Sequence, residues 1–456
     1  MKTTTPYRLS PVFLFVVWLF SAGIVMEVSA QTSAPIGGYP MPSLQAERDT
    51  YTKWGWTWDA KAEPNLAGNP TFEVRGPDIH GDTEGDDLWN NLMMYFRTGQ
   101  QGYLDRAKGW ARYFKEDYRL CKQPAGLSTY YTFCADKGFL LDHIYGWGLV
   151  AWYEYTGDAA ALAEAENLLA EVDKVWKDRF GTGQWPKPGE VRMANYGPRG
   201  EARHLMLATR VAEVTKKQQW IDIRDRLIAL FLASPDWDTA RGTYFMGGYT
   251  TDYILGTGAW ERGERIQSPF QLALLVEAFA QAYRVTGNVE LKNRVVAIAR
   301  YINQYGLDQK YQYAGSFFGI VGGKMWHNYG AKSVVDFWDP YYTASLVNTL
   351  MYGCKFSGDQ SLCDRAKYFF NRGTKGIYGQ PTERACADDR VCKFIDSRVD
   401  GLFIDPFRGF LQYTYLIFEG GGTATTPPPP PTSEPTPEPT PEPAPVPDRP
   451  TNLQIK

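Results

Sequence analysis

Six antiparallel helical hairpins closed into a ring, an all-α (α/α)6 toroid, is the architecture this sequence predicts, and three observations predict it. A short turn motif recurs along the chain. Apolar residues on either side of it follow helical spacing. Long connections rich in aromatic residues separate one motif-bearing unit from the next.

The motif reads RTGQ at Arg97, YTGDAA at Tyr155, VTGNVE at Val285 and FSGDQS at Phe356, with a degenerate copy, VTKKQQ, at Val214. Its Thr or Ser falls at 98, 156, 215, 286 and 357, spacings of 58, 59, 71 and 71 residues, which is an internal repeat. The glycine suits the left-handed conformation that ends a helix. The Asp or Asn after it (Asp158, Asn288, Asp359) suits the N-cap of the next helix. Each motif therefore joins two antiparallel helices.

The flanks agree, because Leu104, Ala107, Ala111 and Phe114 follow one turn, and Leu162, Ala165, Leu168, Leu169, Val172 and Trp176 another, at helical spacing. Five hairpins supply ten helices. Amphipathic segments at about Ser43 to Trp56 and Pro406 to Phe418 complete the expected twelve. Strands are expected only in the loops, at GTYFMGGYTTDYIL and GKMWHNYG.

Residues 1–30 read as an export signal: Lys2 and Arg8 precede an apolar stretch, Val12 to Met26, and a small-residue site, Val28-Ser29-Ala30. The stretch is short for a membrane span, so a secreted chain is expected, extracellular or periplasmic and without a membrane span after signal removal. An extension (31–43), the toroid (44–419), a Pro, Thr and Glu-rich linker (420–448) and a stub resembling the start of a fibronectin type III module (449–456) follow. The 48 basic and 51 acidic residues less Lys2, Arg8 and Glu27 leave 46 and 50, a balance that argues against nucleic acid. The six cysteines fall into near-neighbour pairs, Cys121 with Cys134, Cys354 with Cys363 and Cys386 with Cys392, which suits local disulfides, although six cysteines allow fifteen pairings. Zinc spacing is absent.

The turns, the period and the aromatic-rich helices resemble the six-hairpin toroids of secreted carbohydrate-active enzymes, which include glycoside hydrolases and, in related toroids, polysaccharide lyases. The resemblance spans roughly Leu44 to Glu419 and concerns architecture. It implies a polysaccharide or oligosaccharide partner and a monomer.

Chemistry is expected where the long connections gather, because loops of this length in a compact domain are usually functional. GPDIHGDTEGDDLW (Gly76 to Trp89) holds His80, Asp82, Glu84, Asp86 and Asp87. Any one acid there suits a helix cap, and calcium is the ion such carboxylates would suit, although EF-hand spacing is missing. No other cofactor is expected. ANYGPRGEARH brings Asn195, Tyr196, Arg199 and His204; its plain reading is a turn and a helix start with Arg203 solvated. DFWDPYY brings Asp336, Trp338, Asp339 and Tyr341, with an Asp as helix N-cap and Pro340 in the first turn as its plain reading. His143, Trp260 and His327 are further substrate-binding candidates, and Trp185 and Trp326 are candidates for stacking on sugar rings.

Three functions compete. A glycoside hydrolase would use Asp82 or Glu84 with Asp336 or Asp339 as acid and base. A polysaccharide lyase would set Asn195, Arg199 and His204 on a uronate carboxylate, with Tyr196 or His204 moving the proton. A non-catalytic glycan-binding or structural module is the third. Phosphate loops, serine-hydrolase elbows and H-E-x-x-H pairs are missing.

Overall fold

A computed structural model describes residues 86, 88–89, 91–92, 95, 101–118, 134–135, 138–139, 146–179, 183–193, 198–246, 265–307, 314, 318–321, 324–327 and 338–379. The expected signal, extension, linker and stub, the segments at 43–56 and 406–418, and Cys121, Cys386 and Cys392 lie outside them.

Helices dominate. Residues 88, 89, 91, 92 and 95 are helical, and α1 (Gln101–Tyr113) follows, running into a π turn at Phe114–Tyr118. Then come α2 (Trp147–Thr156) with α3 (Ala159–Arg179), α4 (Arg199–Thr215) with α5 (Gln218–Ala233), α6 (Pro269–Thr286) with α7 (Val289–Tyr305), and α8 (Trp338–Ser357) with α9 (Gln360–Gly379). Each pair is one of the expected hairpins. No helix among the described residues is long and apolar enough to cross a membrane.

The turns have one construction. Gly157, Gly287 and Gly358 adopt φ of 77°, 70° and 72°, and their N–H groups donate to the carbonyls of Tyr153, Tyr283 and Cys354. The residue before each glycine has a second task that its place in the motif did not announce. Thr156 donates its hydroxyl to Trp152 O at 2.7 Å and accepts from Asp158 N at 3.2 Å; Thr286 and Ser357 repeat this with Ala282 and Asn288, and with Gly353 and Asp359. Asp158, Asn288 and Asp359 then cap α3, α7 and α9 through their side-chain oxygens. In the degenerate copy Thr215 keeps its bonds, but Lys216 takes the glycine's place at φ 55° and Lys217 makes no capping bond. Lys217 instead bonds Glu166 of α3, which also accepts from Trp220 Nε1.

Two layers result. α2, α4 and α6 are buried on nearly every side, α6 without a break from Pro269 to Ala282. α3, α5 and α7 bury one stripe each, such as Ala165, Leu168, Leu169, Val172 and Trp176 on α3. Leu162, expected in that stripe, is half-buried, and Ala161 is fully buried instead. Each inner helix packs on the next (α2 on α4, α4 on α6, α6 on α8), while α3 and α7 also touch the inner helix of the following hairpin.

Side chains near the turns confirm that the inner helices are parallel. Tyr95 meets Tyr155 edge-on at 6.1 Å, and Tyr283 meets Phe356 at 5.2 Å. Between them an ion-pair chain crosses three helices: Glu154 accepts two bonds from Arg210 Nη2 at 2.7 and 2.8 Å, Arg210 also pairs with Glu213, and Glu213 accepts from Arg284 at 2.7 Å. Burial would raise the Glu213 carboxyl, but Arg284 and Arg210 together hold it below its ordinary range. The C-terminal ends of five successive inner helices thus stand side by side.

A disulfide joins Cys354 to Cys363 across the fifth turn, as the spacing suggested. Strands are few and lie in the long connections, again as expected. Trp237–Asp238 (β3) pairs with Thr243–Tyr244 (β4), and Arg265–Gln267 (β5), Phe318–Val321 (β6) and Lys324–His327 (β7) form an antiparallel sheet. A small hairpin that the sequence did not announce joins Cys134–Ala135 (β1) to Gly138–Phe139 (β2).

Candidate functional site

With every described turn at one end, the N-termini of the inner helices meet at the other. Asp86 fastens the first two. It is fully buried; its Oδ1 accepts from Trp89 N at 3.0 Å, capping its own helix, and its Oδ2 accepts from Gly146 N at 3.1 Å and Gly148 N at 2.8 Å at the start of α2. Of the acids in the GDTEGDD stretch, this one is a double cap. Such an approach requires Gly148, because a Cβ there would lie 2.2 Å from Asp86 Oδ1 and 2.8 Å from Trp89 N.

α4 and α6 meet next. Arg203 has no exposed surface, which corrects the plain reading of it as solvated; its guanidinium lies 6.0 Å from the ring of Phe270 in the first turn of α6. Pro198 before α4 and Ser268 before α6 make no side-chain capping bond, in contrast to the Asp and Asn caps at the other end. Gln267 and Gln271 are buried there. Gln267 Nε2 donates to Thr243 Oγ1 at 2.6 Å and Tyr244 O at 2.8 Å, fastening β5 to β4. At α8, Thr343 Oγ1 accepts from Ala314 N at 2.8 Å.

The connections are stitched to one another. The strap 183–193 reaches the next connection through Met193 N to Ser234 Oγ at 3.0 Å and Arg192 to Asp236 at 3.1 Å. Met246 bridges to Ile266 of β5, and Phe318 of β6 stacks on Tyr301 of α7 at 6.1 Å. Arg294 of α7 lies 3.8 Å over the ring of Trp237. These contacts tie the described parts of the middle connections to one another and to the helices.

The candidates fall as follows. His204 is the sixth residue of α4 and fully buried, against Trp185 at 6.2 Å and Trp176 at 6.4 Å. Burial first, and the Lys177 charge second, hold its pKa down to about 3, so the ring is neutral. Arg199 opens the same helix and is half-buried. Trp338, Asp339 and Tyr341 lie in the first turn of α8, and His327 ends β7 as the Cα partner of Phe318. Asp82, Glu84, Asp336, His80, His143, Asn195, Tyr196 and Trp260 lie outside the described residues. Trp185, expected to stack on sugar, packs instead on Trp176 at 4.7 Å.

Among the described residues several buried charges escape the sequence reading, Arg203 and Glu277 among them. Arg203 sits in a stretch that reads as an ordinary helix, and Glu277 sits mid-helix in α6, where it accepts from Gln281 Nε2 at 3.2 Å. The repeat holds the usable signal. Counting back from the turn residue aligns Pro198, Pro269 and Pro340, and marks both charges as belonging to helices of the buried layer.

No family model and no curated protein matches the chain. Among solved structures it is similar to cellobiose 2-epimerase from Bacillus thermoamylovorans B4167, at 16% identity over 72% of this chain and 89% of that one, TM-score 0.47. It is also similar to a polysaccharide lyase (13% identity, 75% and 97%, TM-score 0.43) and to unsaturated glucuronyl hydrolase from Streptococcus agalactiae (10% identity, 81% and 97%, TM-score 0.43). Three different chemistries are named among them, so activity has to be argued from the site.

Proposed function

We propose that the chain is a secreted carbohydrate-active enzyme with its site at the loop end, and that it acts as a glycoside hydrolase. The observation that carries this reading is the Asp86 clamp, together with the parallel order of the inner helices. Glu84 and Asp82 lie two and four residues before Asp86, so chain reach keeps their backbones within about 7 and 14 Å of that of Asp86, whose side chain accepts from the start of α2. Asp339 lies in the first turn of α8, at the same end of the ring. One acid from each group makes the pair hydrolysis requires, one protonated and one ionised. Trp338 and Tyr341 belong to the same turn of the helix.

The test is product release from a panel of polysaccharides. Glu84→Gln and Asp339→Asn are each expected to lower the release of reducing ends by 100-fold or more, on the order of what general acid–base catalysis contributes. Near-normal release by both variants would remove the reading. A second reading, β-elimination of a uronate, is favoured by Arg199, which opens α4 behind a residue that makes no side-chain cap. Its product carries a C4=C5 double bond, so new ultraviolet absorbance on alginate, pectate or glucuronan would choose it over hydrolysis.

A further inference from the structure

Trp185 stands at the centre of a cluster that the proposed hydrolysis does not use. Its indole stacks on His204 of α4 at 6.2 Å with an interplanar angle of 23° and meets Trp176 of α3 at 4.7 Å. Two cations face the same ring: Lys177 Nζ of α3 at 5.8 Å and Arg226 Cζ of α5 at 5.4 Å from its centroid. The carboxylate in the group is Asp173 of α3, which pairs with Lys177 at 2.6 Å. Burial raises the Asp173 carboxyl although Lys177 and Arg226 pull the other way, and the charge it faces is that of Lys177. Neither nitrogen of His204 has a hydrogen-bond partner among the described residues. The indole is also the anchor of the strap 183–193, whose flank Gly183 to Glu190 is otherwise exposed or half-buried.

A proton on His204 would place a third cation around one indole, buried and without an acceptor. The least costly escape is to hydrate the imidazole by lifting the ring that covers it. We propose that this stack is an acid-released latch: protonation of His204 expels Trp185 and frees the strap's flank 183–190, while residues 191–193, which lead toward Asn195, Tyr196 and Arg199, stay anchored and the helical hairpins stay folded. His204 is then a positioning residue acting through Trp185.

The sign follows from linkage. His204 titrates near 3 under the closed strap and returns to about 6.5 once hydrated, so the open form binds the proton more tightly. The closed form has its full stability above about pH 6.5 and loses it progressively as the pH falls toward about 3. The opening equilibrium should rise ~100-fold between about pH 7.5 and about pH 4.5.

Endoproteinase cleavage after Glu190, an exposed strap residue, reads the opening without any substrate. The expected result is a cleavage rate, taken relative to that of His204→Phe, that climbs steeply toward about pH 4.5 at unchanged far-ultraviolet circular dichroism. Phe keeps the stack and cannot titrate. Equal rates in the two proteins across this range would overturn the latch, as would whole-chain unfolding in step with cleavage. Should His204→Phe fail to fold, Trp185→Ala serves, with rates taken relative to those on an unstructured peptide carrying the same cleavage site: the strap is then expected to be cut quickly at every pH, and a relative rate that still climbs toward about pH 4.5 would equally overturn it. The readout is independent of the proposed hydrolysis, which can fail while the latch stands.

Discussion

The two ends of the hairpins are built on opposite plans. At the turn end the same few atoms recur: a Thr or Ser hydroxyl bridging to the next backbone N–H, a glycine at positive φ, and an Asp or Asn cap. At the loop end a proline recurs at Pro198, Pro269 and Pro340, but the side-chain contacts described there do not repeat. The clamp of Asp86, the guanidinium of Arg203 over Phe270, the Trp185 stack and the bond from Gln267 to β4 are each made once. Local, sequence-near bonds build each turn and leave little to vary, while long-range pairs such as Arg210 with Glu154 join one turn to the next. The loop end is held by partners far apart in the chain, so each connection is free to carry its own chemistry.

Breaking the loop end should cost most. Gly148→Ala forces a Cβ into Asp86 and the Trp89 backbone, and a loss of about 3 kcal/mol is expected in denaturant titration. Asp86→Ala should cost a similar amount, and the double variant far less than the sum, because both destroy one clamp. Additive losses would mean that the two residues act separately.

The ion-pair chain comes next. Arg210 is nearly buried, and Arg210→Met leaves Glu154 and Glu213 without their shared cation, so a loss of about 2 to 3 kcal/mol is expected. Arg284 is one-third exposed, and Arg284→Met should cost about 1 kcal/mol or less, a loss that added salt reduces. Equal losses at the two positions would deny the buried arginine its special weight.

The smallest effects belong to single turns. Asp158→Ala removes an N-cap and should cost about 1 kcal/mol. Lys216→Gly relieves a left-handed residue that the sister turns assign to glycine, and should raise the thermal midpoint slightly, by the equivalent of about 0.5 to 1 kcal/mol. A fall in stability there would show that Lys216 makes a contact worth more than its strained backbone.

Legibility divides along the same line. The hairpins, their capping residues, the Cys354–Cys363 pair and the strand at Lys324–His327 were readable because each depends on residues within ten or so positions. Arg203 was misread as solvated because whether one face of a helix or all of it is covered depends on its neighbours. Trp185 was misassigned for the same reason: an aromatic residue in a long loop looks alike whether it faces a ligand or plugs a gap between three helices.

By itself, then, the sequence determined the repeat: where helices stop, which residue permits the reversal and which caps the next helix, since those bonds close over two to four residues. Only the tertiary structure decided which helices are buried all round, that Glu154, Arg210, Glu213 and Arg284 form one chain, and that His204 lies behind an indole. These are contacts between segments tens of residues apart, and their energy depends on desolvation by a neighbour that no local pattern specifies.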